Sequence, residues 1–402
     1  MEWRRAVCAA GLLALITVST ATGAGSDPLC TGSYGGAKAR AAGPLRFGVD
    51  PGLAGTVGGV QLSSAPDNPV KDLQELKALR PHGRVLVLRL NRLFWSDGTA
   101  GITSFEHTVS TYTHDGFEVE LQVRYHPPSG EAGNIAAWDA YVRLVVDTFG
   151  PNRNVIAMTI TNEVNVPVSP NTSDGYYQGA DAALVSGIEA AHEEAVRKGY
   201  KQLRFGFTYA YRFSPQGDAD MFQYIGAHGG AAFQKALGFV GLDFYPGSFY
   251  PPVMLPGDTY RGEMAQALGV VRDCLAPMAR IGAGVPIWIT ENGVPTGSLS
   301  DAQQAAALVQ LVRAAYDYAG TYNVTDYRWF NLRDAVSSGP ETLSGLTFAS
   351  DGLLQSNYSP KPAFADYRSL IAQLGAPTPR APKSRHRQRR HKRRKHRKRR
   401  KR

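Results

Sequence analysis

Two glutamates stand directly after strongly apolar segments of this 402-residue chain. Glu163 lies in MTITNEVNVP, Glu291 lies in IWITENGVP, and each has an asparagine beside it. Two carboxyl groups held together can divide the work of catalysis, because one protonates a leaving oxygen while the other attacks carbon or activates water. Each motif also has a plain structural interpretation, since Asn-Glu can cap a helix and Asn-Gly is a strong turn former. The chemical interpretation therefore depends on whether the fold brings Glu163 and Glu291 together.

Strand-like apolar segments alternate with helix-like segments across residues 44–374. The pattern predicts eight strands, at Leu45–Val49, Arg84–Leu90, Glu118–Tyr125, Val155–Thr161, Leu203–Thr208, Phe239–Phe244, Pro286–Thr290 and Asp326–Phe330. Amphipathic helices are predicted between several of them, for example at Ala136–Thr148, Asp181–Lys198 and Asp301–Ala319. Such alternation is typical of parallel strands joined by right-handed crossovers, here with about 41 residues in each unit. We expect an α/β fold, a (β/α)₈ TIM barrel forming one catalytic domain.

An open, doubly wound sheet is the competing fold. The loop after the first strand, GVDPGLAGTVGGV, lacks G-x-G-x-x-G, so a dinucleotide-binding sheet has little support. In a barrel, active sites form at the C-terminal ends of the strands. Glu163 would end strand four and Glu291 would end strand seven, which places both carboxyl groups at one mouth.

These motifs resemble clan A of the glycoside hydrolases, the retaining (β/α)₈ group that includes families 1 and 5. In that clan the acid/base is the Glu of an Asn-Glu pair ending strand four, which matches Asn162 and Glu163. The nucleophile is a Glu ending strand seven, and the string ITENG around Glu291 is similar to that of family 1. Val164 replaces the usual proline after Asn-Glu, so the resemblance is to the clan and not to one family.

The resemblance also implies a set of sugar-binding side chains. Tyr245 in GLDFYP matches the tyrosine of strand six that holds the nucleophile, and Arg89 matches an arginine beside it. Trp329 on strand eight matches the tryptophan that floors the sugar site, and His126 on strand three is a looser match. Asn162 would bind the sugar 2-hydroxyl. The chemistry implied requires neither a metal nor an organic cofactor.

The implied function is hydrolysis of O-glycosidic bonds, β-linked by expectation, in a polysaccharide or oligosaccharide. Glu291 would attack the anomeric carbon, and Glu163 would act as acid and then as base. The alternatives come from another class: a catalytically silent barrel that binds polysaccharide, or a secreted polyanion-binding protein. We expect a monomer.

The N-terminus is typical of a secretion signal, with Arg4 and Arg5 before a short apolar stretch from Ala6 to Val18. We expect cleavage near Ala24, with an uncleaved anchor as the alternative, and no transmembrane segment in the mature chain. Residues 25–43 are predicted to be a loose lead-in. In an exported protein, Cys30 and Cys274 are candidates for a disulfide, although two unpaired thiols are also compatible with the sequence.

The C-terminus carries the positive charge of the chain. Residues 375–402 begin with a Pro-rich linker, and residues 383–402 contain 15 Lys and Arg and no acid. The net charge is +10, so removing those 15 charges leaves a body at −5. Such a run cannot fold alone, and it would bind nucleic acid through charge without specificity. For an exported enzyme we expect a tether to an anionic cell-wall polymer or surface, and an extracellular location.

Overall fold

The structure is a computed structural model that describes residues 27–379, except 53–55, 58–59, 62–65, 171, 248–258, 297–298, 336, 338–341, 344–345 and 348. The predicted signal segment 1–24 and the polybasic run 383–402 lie outside the described residues. Among the helices that are described, none combines the length and the apolar run needed to cross a bilayer.

Eight parallel strands close into a barrel, as the alternating pattern predicts. They are β1 (Arg46–Val49), β2 (Val87–Phe94), β3 (Glu118–Arg124), β4 (Val155–Ile160), β5 (Arg204–Ala210), β6 (Leu237–Phe244), β7 (Ile287–Asn292) and β8 (Val324–Trp329). Each strand pairs with its neighbours in sequence, and β8 pairs with β1 to complete the ring. The (β/α)₈ prediction is therefore confirmed.

Helices cover the outside of the barrel. They are α1 (Pro69–Leu79), α2 (Gly98–His114), α3 (Ile135–Phe149), α4 (Ala180–Lys198), α5 (Pro215–His228), α6 (Ala231–Ala236), α7 (Tyr260–Val270), α8 (Asp301–Asp317), α9 (Ala319–Tyr322) and α10 (Pro362–Leu374). Local signals set their ends: Ser300 and Gln303 form a capping box at the start of α8, and Gly199 ends α4 with φ of 80°. A short π-helical turn, Val271–Leu275, continues α7.

The barrel interior has an apolar floor and a charged upper part. The floor residues are Val85, Val87, Ile156, Ala157, Phe239 and Trp288. Above them Arg328 contacts Glu120 at 3.2 Å and Asp326 at 2.8 Å, and Glu120 lies 3.5 Å from Arg89. Buried charges are stable only when they are paired. This network of ion pairs therefore fixes the position of the Arg89 side chain inside the barrel.

The segment expected to be a loose lead-in is instead packed on the barrel wall from residue 27 onward. The backbone N–H groups of Tyr34 and Gly35 donate to the Gln266 side chain of α7, at 2.7 and 2.9 Å. Cys30 and Cys274 form a disulfide with an S–S distance of 2.02 Å. The segment therefore belongs structurally to the barrel domain.

The start of the predicted Pro-rich linker also packs on the barrel. Ala376 N donates to Leu45 O at 2.8 Å, and Val85 N donates to Ala376 O at 3.0 Å. Thr378 N donates to Gly83 O at 2.9 Å. These bonds close the N-terminal end of the barrel, so the folded part continues to about residue 379 rather than ending at 374.

Candidate active site

Glu163 is aimed by an unusual turn at the end of β4. Thr161 and Glu163 have φ angles of 67° and 46°, in the left-handed region that side chains other than glycine rarely adopt. Asp174 accepts a hydrogen bond from Asn162 N at 2.8 Å, and Thr208 accepts one from Glu163 N at 3.3 Å. Strained backbone held by such contacts is frequent at functional sites, and here it turns the Glu163 side chain toward the barrel axis.

Glu291 lies inside β7 with a donor on each of its carboxylate oxygens. Arg89 Nη1 donates to Oε1 at 2.5 Å, and the Tyr245 hydroxyl donates to Oε2 at 2.7 Å. Arg89 is fully buried and Tyr245 is 5% exposed. Two donors, one of them a cation, stabilise the ionised carboxylate and fix its orientation. This is what a carboxylate nucleophile requires.

The fold brings Glu163 and Glu291 together with a third acid. One carboxylate oxygen from each of Glu163, Glu291 and Asp243 lies within 4.8 Å of the other two. A spacing of about 5–5.5 Å between the two catalytic carboxyl groups is typical of retaining glycosidases, whereas inverting enzymes need about 6.5–9.5 Å to admit a water. The oxygen–oxygen separation of at most 4.8 Å between Glu163 and Glu291 is compatible with the shorter of these two spacings.

The surroundings of Glu163 favour its protonated form. Burial, followed by the negative charges of Asp243 and Glu291, raises the pKa of Glu163 well above its usual value, and the more distant Arg124 and Arg89 oppose the shift. Like charges at this distance cannot all be ionised at low cost. Glu291 differs from Glu163 in its hydrogen bonds, since it has a donor on each carboxylate oxygen and one of these donors is the Arg89 guanidinium.

Asn162 is held firmly beside this pair. Its side-chain oxygen accepts hydrogen bonds from Thr208 at 3.1 Å and from Gln122, and its amide nitrogen donates to Thr172 O at 2.9 Å. Among the described residues this nitrogen donates only that one bond, which leaves its second hydrogen for a ligand. The predicted bond to a sugar 2-hydroxyl is a proposal that depends on this hydrogen.

His126 lies at the rim and not between the glutamates. Its Nδ1 is 2.9 Å from the Ser96 hydroxyl, and its ring packs 5.0 Å from the rings of both Phe94 and Tyr177. Burial and the positive charge of Arg124 lower the pKa of His126, which favours the neutral imidazole. A sugar contact by His126 stays a prediction, placed at the outer edge of the mouth.

The structure does not bring Trp329 to the site. Side chains alternate along a strand, and Arg328 points into the barrel, so Trp329 points outward. Its fully buried indole packs near Tyr367 of α10, with ring centroids 6.5 Å apart, and donates to Asp351 O at 2.9 Å. Phe330 is on the inner side instead, with its ring 6.1 Å from that of Tyr245. Phe330 therefore packs against Tyr245, the aromatic residue that donates to Glu291.

Asp243 is the residue that sequence analysis missed. It is fully buried in β6, and its Oδ1 accepts a hydrogen bond from Thr290 at 2.7 Å. The three clustered carboxyl groups are close enough to share a cation, but the Arg89 guanidinium already supplies positive charge at Glu291. The absence of a metal requirement stays a prediction.

Solved structures share this fold. A β-glucosidase from Thermotoga maritima in complex with galacto-hydroximolactam matches 85% of this chain and 100% of its own, with a TM-score of 0.57 and 15% identity. GH5_18 from Streptomyces cattleya in complex with GlcNAc matches 85% of this chain and 83% of its own, with a TM-score of 0.58 and 14% identity. A family 39 glycoside hydrolase from Bacteroides cellulosilyticus matches 83% of this chain and 64% of its own, with a TM-score of 0.54 and 14% identity.

No protein-family model matches the sequence, and no curated protein is similar to it. At identities of 13–16% the structural likeness establishes the fold alone. The chain has the (β/α)₈ fold of the clan A glycosidases, and its structural neighbours are glycoside hydrolases. Any catalytic activity of this chain depends on the side chains at the mouth of its barrel.

Proposed function

We propose that this protein is a retaining glycoside hydrolase that cleaves O-glycosidic bonds of a polysaccharide or oligosaccharide. The observation that carries the proposal is the pair formed by Glu163 and Glu291. One oxygen from each carboxyl group lies within 4.8 Å of the other, and Glu291 has a donor on each of its oxygens, one of them a cation. A protein that only binds sugar has no need for this division of roles, which favours the enzyme over a silent barrel.

In the first step a Glu291 oxygen attacks the anomeric carbon and forms an ester bond. The glycosidic C–O bond breaks, its electron pair stays on the leaving oxygen, and that oxygen takes the Glu163 proton. In the second step Glu163, now a carboxylate, takes a proton from water while the water oxygen attacks the anomeric carbon. The ester bond breaks, Glu291 recovers its negative charge, and Glu163 again carries a proton.

A pair of alanine variants tests these roles on a panel of aryl glycosides and polysaccharides. Glu291→Ala is expected to abolish turnover on every substrate. Glu163→Ala is expected to reduce kcat/KM by about 10²–10⁴ for poor leaving groups and far less for dinitrophenyl glycosides, because the latter leave without protonation. Equal losses on both substrate types would contradict the assignment. Glycan binding by a wild-type protein that hydrolyses nothing would favour the silent barrel.

We also propose that the enzyme is exported and that residues 383–402 tether it to an anionic cell-wall polymer or surface. The supporting observation is the separation of charge in the sequence, with 15 basic residues in the tail and a body at −5. Attraction of this kind weakens as salt rises, because it comes from exposed charges. The tether would keep the barrel near its substrate without taking part in catalysis.

A further inference from the structure

The charges inside the barrel leave Asp243 without a cation of its own. Arg328 is paired with Glu120 and Asp326, and Arg89 with Glu291. Within the described part of the chain, Asp243 forms no salt bridge and its Oδ2 has no hydrogen-bond partner, although the side chain is fully buried. An ionised carboxylate in that position would carry a large desolvation penalty.

The two oxygens of the Asp243 carboxyl group have different surroundings. Oδ1 accepts the Thr290 hydroxyl at 2.7 Å, which anchors the carboxyl group to β7. Asp243 and Glu291 are also register partners on adjacent strands, and Glu163 completes the triangle within 4.8 Å. Oδ2 is therefore a buried polar atom without a partner among the described residues, on a side chain that lies beside Glu163 and Glu291.

We propose that Asp243 is a neutral carboxylic acid whose Oδ2 proton donates a hydrogen bond to whichever of Glu291 and Glu163 is ionised. In the free enzyme that is Glu291. Once Glu291 is esterified it has lost its charge, and Glu163 has lost its proton to the leaving group, so the donor serves Glu163. A side-chain rotation of Asp243 brings the donor to either carboxylate, since one oxygen of each group lies within 4.8 Å of the others. Asp243 is thus a positioning residue, and the inference rests on the proposed glycosidase function.

The groups around Asp243 support the neutral form. Burial, followed by the charge of Glu291, raises the pKa of Asp243 well above its usual value, while Arg89 and the hydroxyls of Thr290 and Thr208 oppose the shift. The titratable and charged groups that face it from its own strand and from the elements packed around it are Glu163, Glu291, Arg89, Tyr209 and Tyr245. Only Arg89 is a cation, and it is already shared among three other acids, since Glu291, Glu120 and Asp50 lie within 4.0 Å of its guanidinium.

Two matched substitutions test the donor. Asp243→Asn keeps an acceptor at Oδ1 and a donor at the Oδ2 position, and it is expected to retain kcat within about tenfold of wild type. Asp243→Leu has a similar size but no donor, and it is expected to lose about 10- to 150-fold in kcat, the range for a hydrogen bond to a charged group, with little change in KM. Equal losses in both variants, or a loss confined to KM, would overturn the proposal.

A second measurement needs no substrate. A carboxyl whose folded-state pKa is raised contributes most to stability below its unfolded value near 4, and this contribution is lost as pH rises toward the folded value. Asn does not titrate, so the Tm of Asp243→Asn minus that of wild type should increase from pH 5 to pH 8. A difference that stays flat or decreases would mean that Asp243 is ionised and would overturn the inference. Failure of the proposed function would appear separately, as a wild type that hydrolyses no glycoside.

Discussion

Removing the Cys30–Cys274 bridge should lower the stability of the whole barrel by an amount that its loop length sets. The cysteines are 244 residues apart, so the bridge closes a loop that contains most of the folded domain. The chain-entropy relation gives about 5.5 kcal/mol at 25 °C for a loop of this length, and measured values reach about 5 kcal/mol. With an unfolding entropy of about 2.1 cal/mol/K per residue over about 350 residues, the Tm should fall by about 7 °C.

The assay is thermal unfolding of a Cys30→Ser/Cys274→Ser double variant beside wild type, each with and without reductant. Reductant should lower the wild-type Tm and leave that of the variant unchanged. Gln266→Ala is the matched control, because it removes the hydrogen bonds of the lead-in from α7 and keeps the bridge.

If the bridge restrains only the lead-in segment, the double variant would keep the wild-type Tm, which would contradict the predicted loss of barrel stability. Trypsin would then cut faster at the exposed Lys38 and Arg40. Two thiols titrating in unreduced, unfolded wild type would refute the bridge itself.

Three further predictions concern conditions and the tail. Because the pKa of Glu163 is raised, kcat/KM for alkyl glycosides should stay constant through neutral pH and fall on the alkaline side as Glu163 loses its proton. The Glu163→Gln variant, measured with a dinitrophenyl glycoside, should lack this alkaline decrease. Dialysis against EDTA should leave turnover unchanged, and a loss restored by a divalent cation would reveal a metal among the carboxyl groups. Truncation after Pro379, beyond the last barrel hydrogen bonds, should abolish salt-sensitive adsorption to an anionic matrix and leave turnover of a small substrate unchanged. Undiminished adsorption by the truncated protein would place the binding surface on the barrel.

The barrel could be predicted from sequence because its strands are continuous apolar segments separated by amphipathic helices. The errors lie at strand ends, where the pattern is mixed: β2 continues to Phe94 through Asn91 and Arg92, beyond the predicted Leu90. Polar residues inside a barrel near its mouth face the site, so hydrophobicity loses its value as a signal there. The lead-in and the linker form few elements of their own, and only tertiary hydrogen bonds reveal that they are packed.

The sequence predicted those site residues that belong to a recognisable motif. It was less informative where the position of a side chain depends on which face of a strand it occupies. Glu163, Glu291, Arg89 and Tyr245 lie together in the structure as the motifs imply. Trp329 was expected in the site because the resemblance implies a tryptophan at strand eight, whereas strand alternation assigns that face to Phe330.

Asp243 is a second residue whose place in the site follows from the alternation of side chains along a strand. It lies two residues before Tyr245, so both side chains face inward. An aspartate within the apolar string GFVGLDFYP was the available signal, because a buried acid in a strand requires a reason. The hydrogen bonds that make it a candidate positioning residue come from other strands, and no local pattern encodes them.

The most direct test of the account is to trap the glycosyl-enzyme intermediate. An activated 2-deoxy-2-fluoro glycoside of whichever sugar the substrate panel identifies should inactivate the wild type with one sugar bound per molecule. Peptide mass spectrometry should place that sugar on Glu291, and NMR of an ordinary substrate should show a first-formed product with the anomeric configuration of the starting glycoside. A label on another residue, or a first-formed product of opposite configuration, would contradict Glu291 as the nucleophile of a retaining glycosidase.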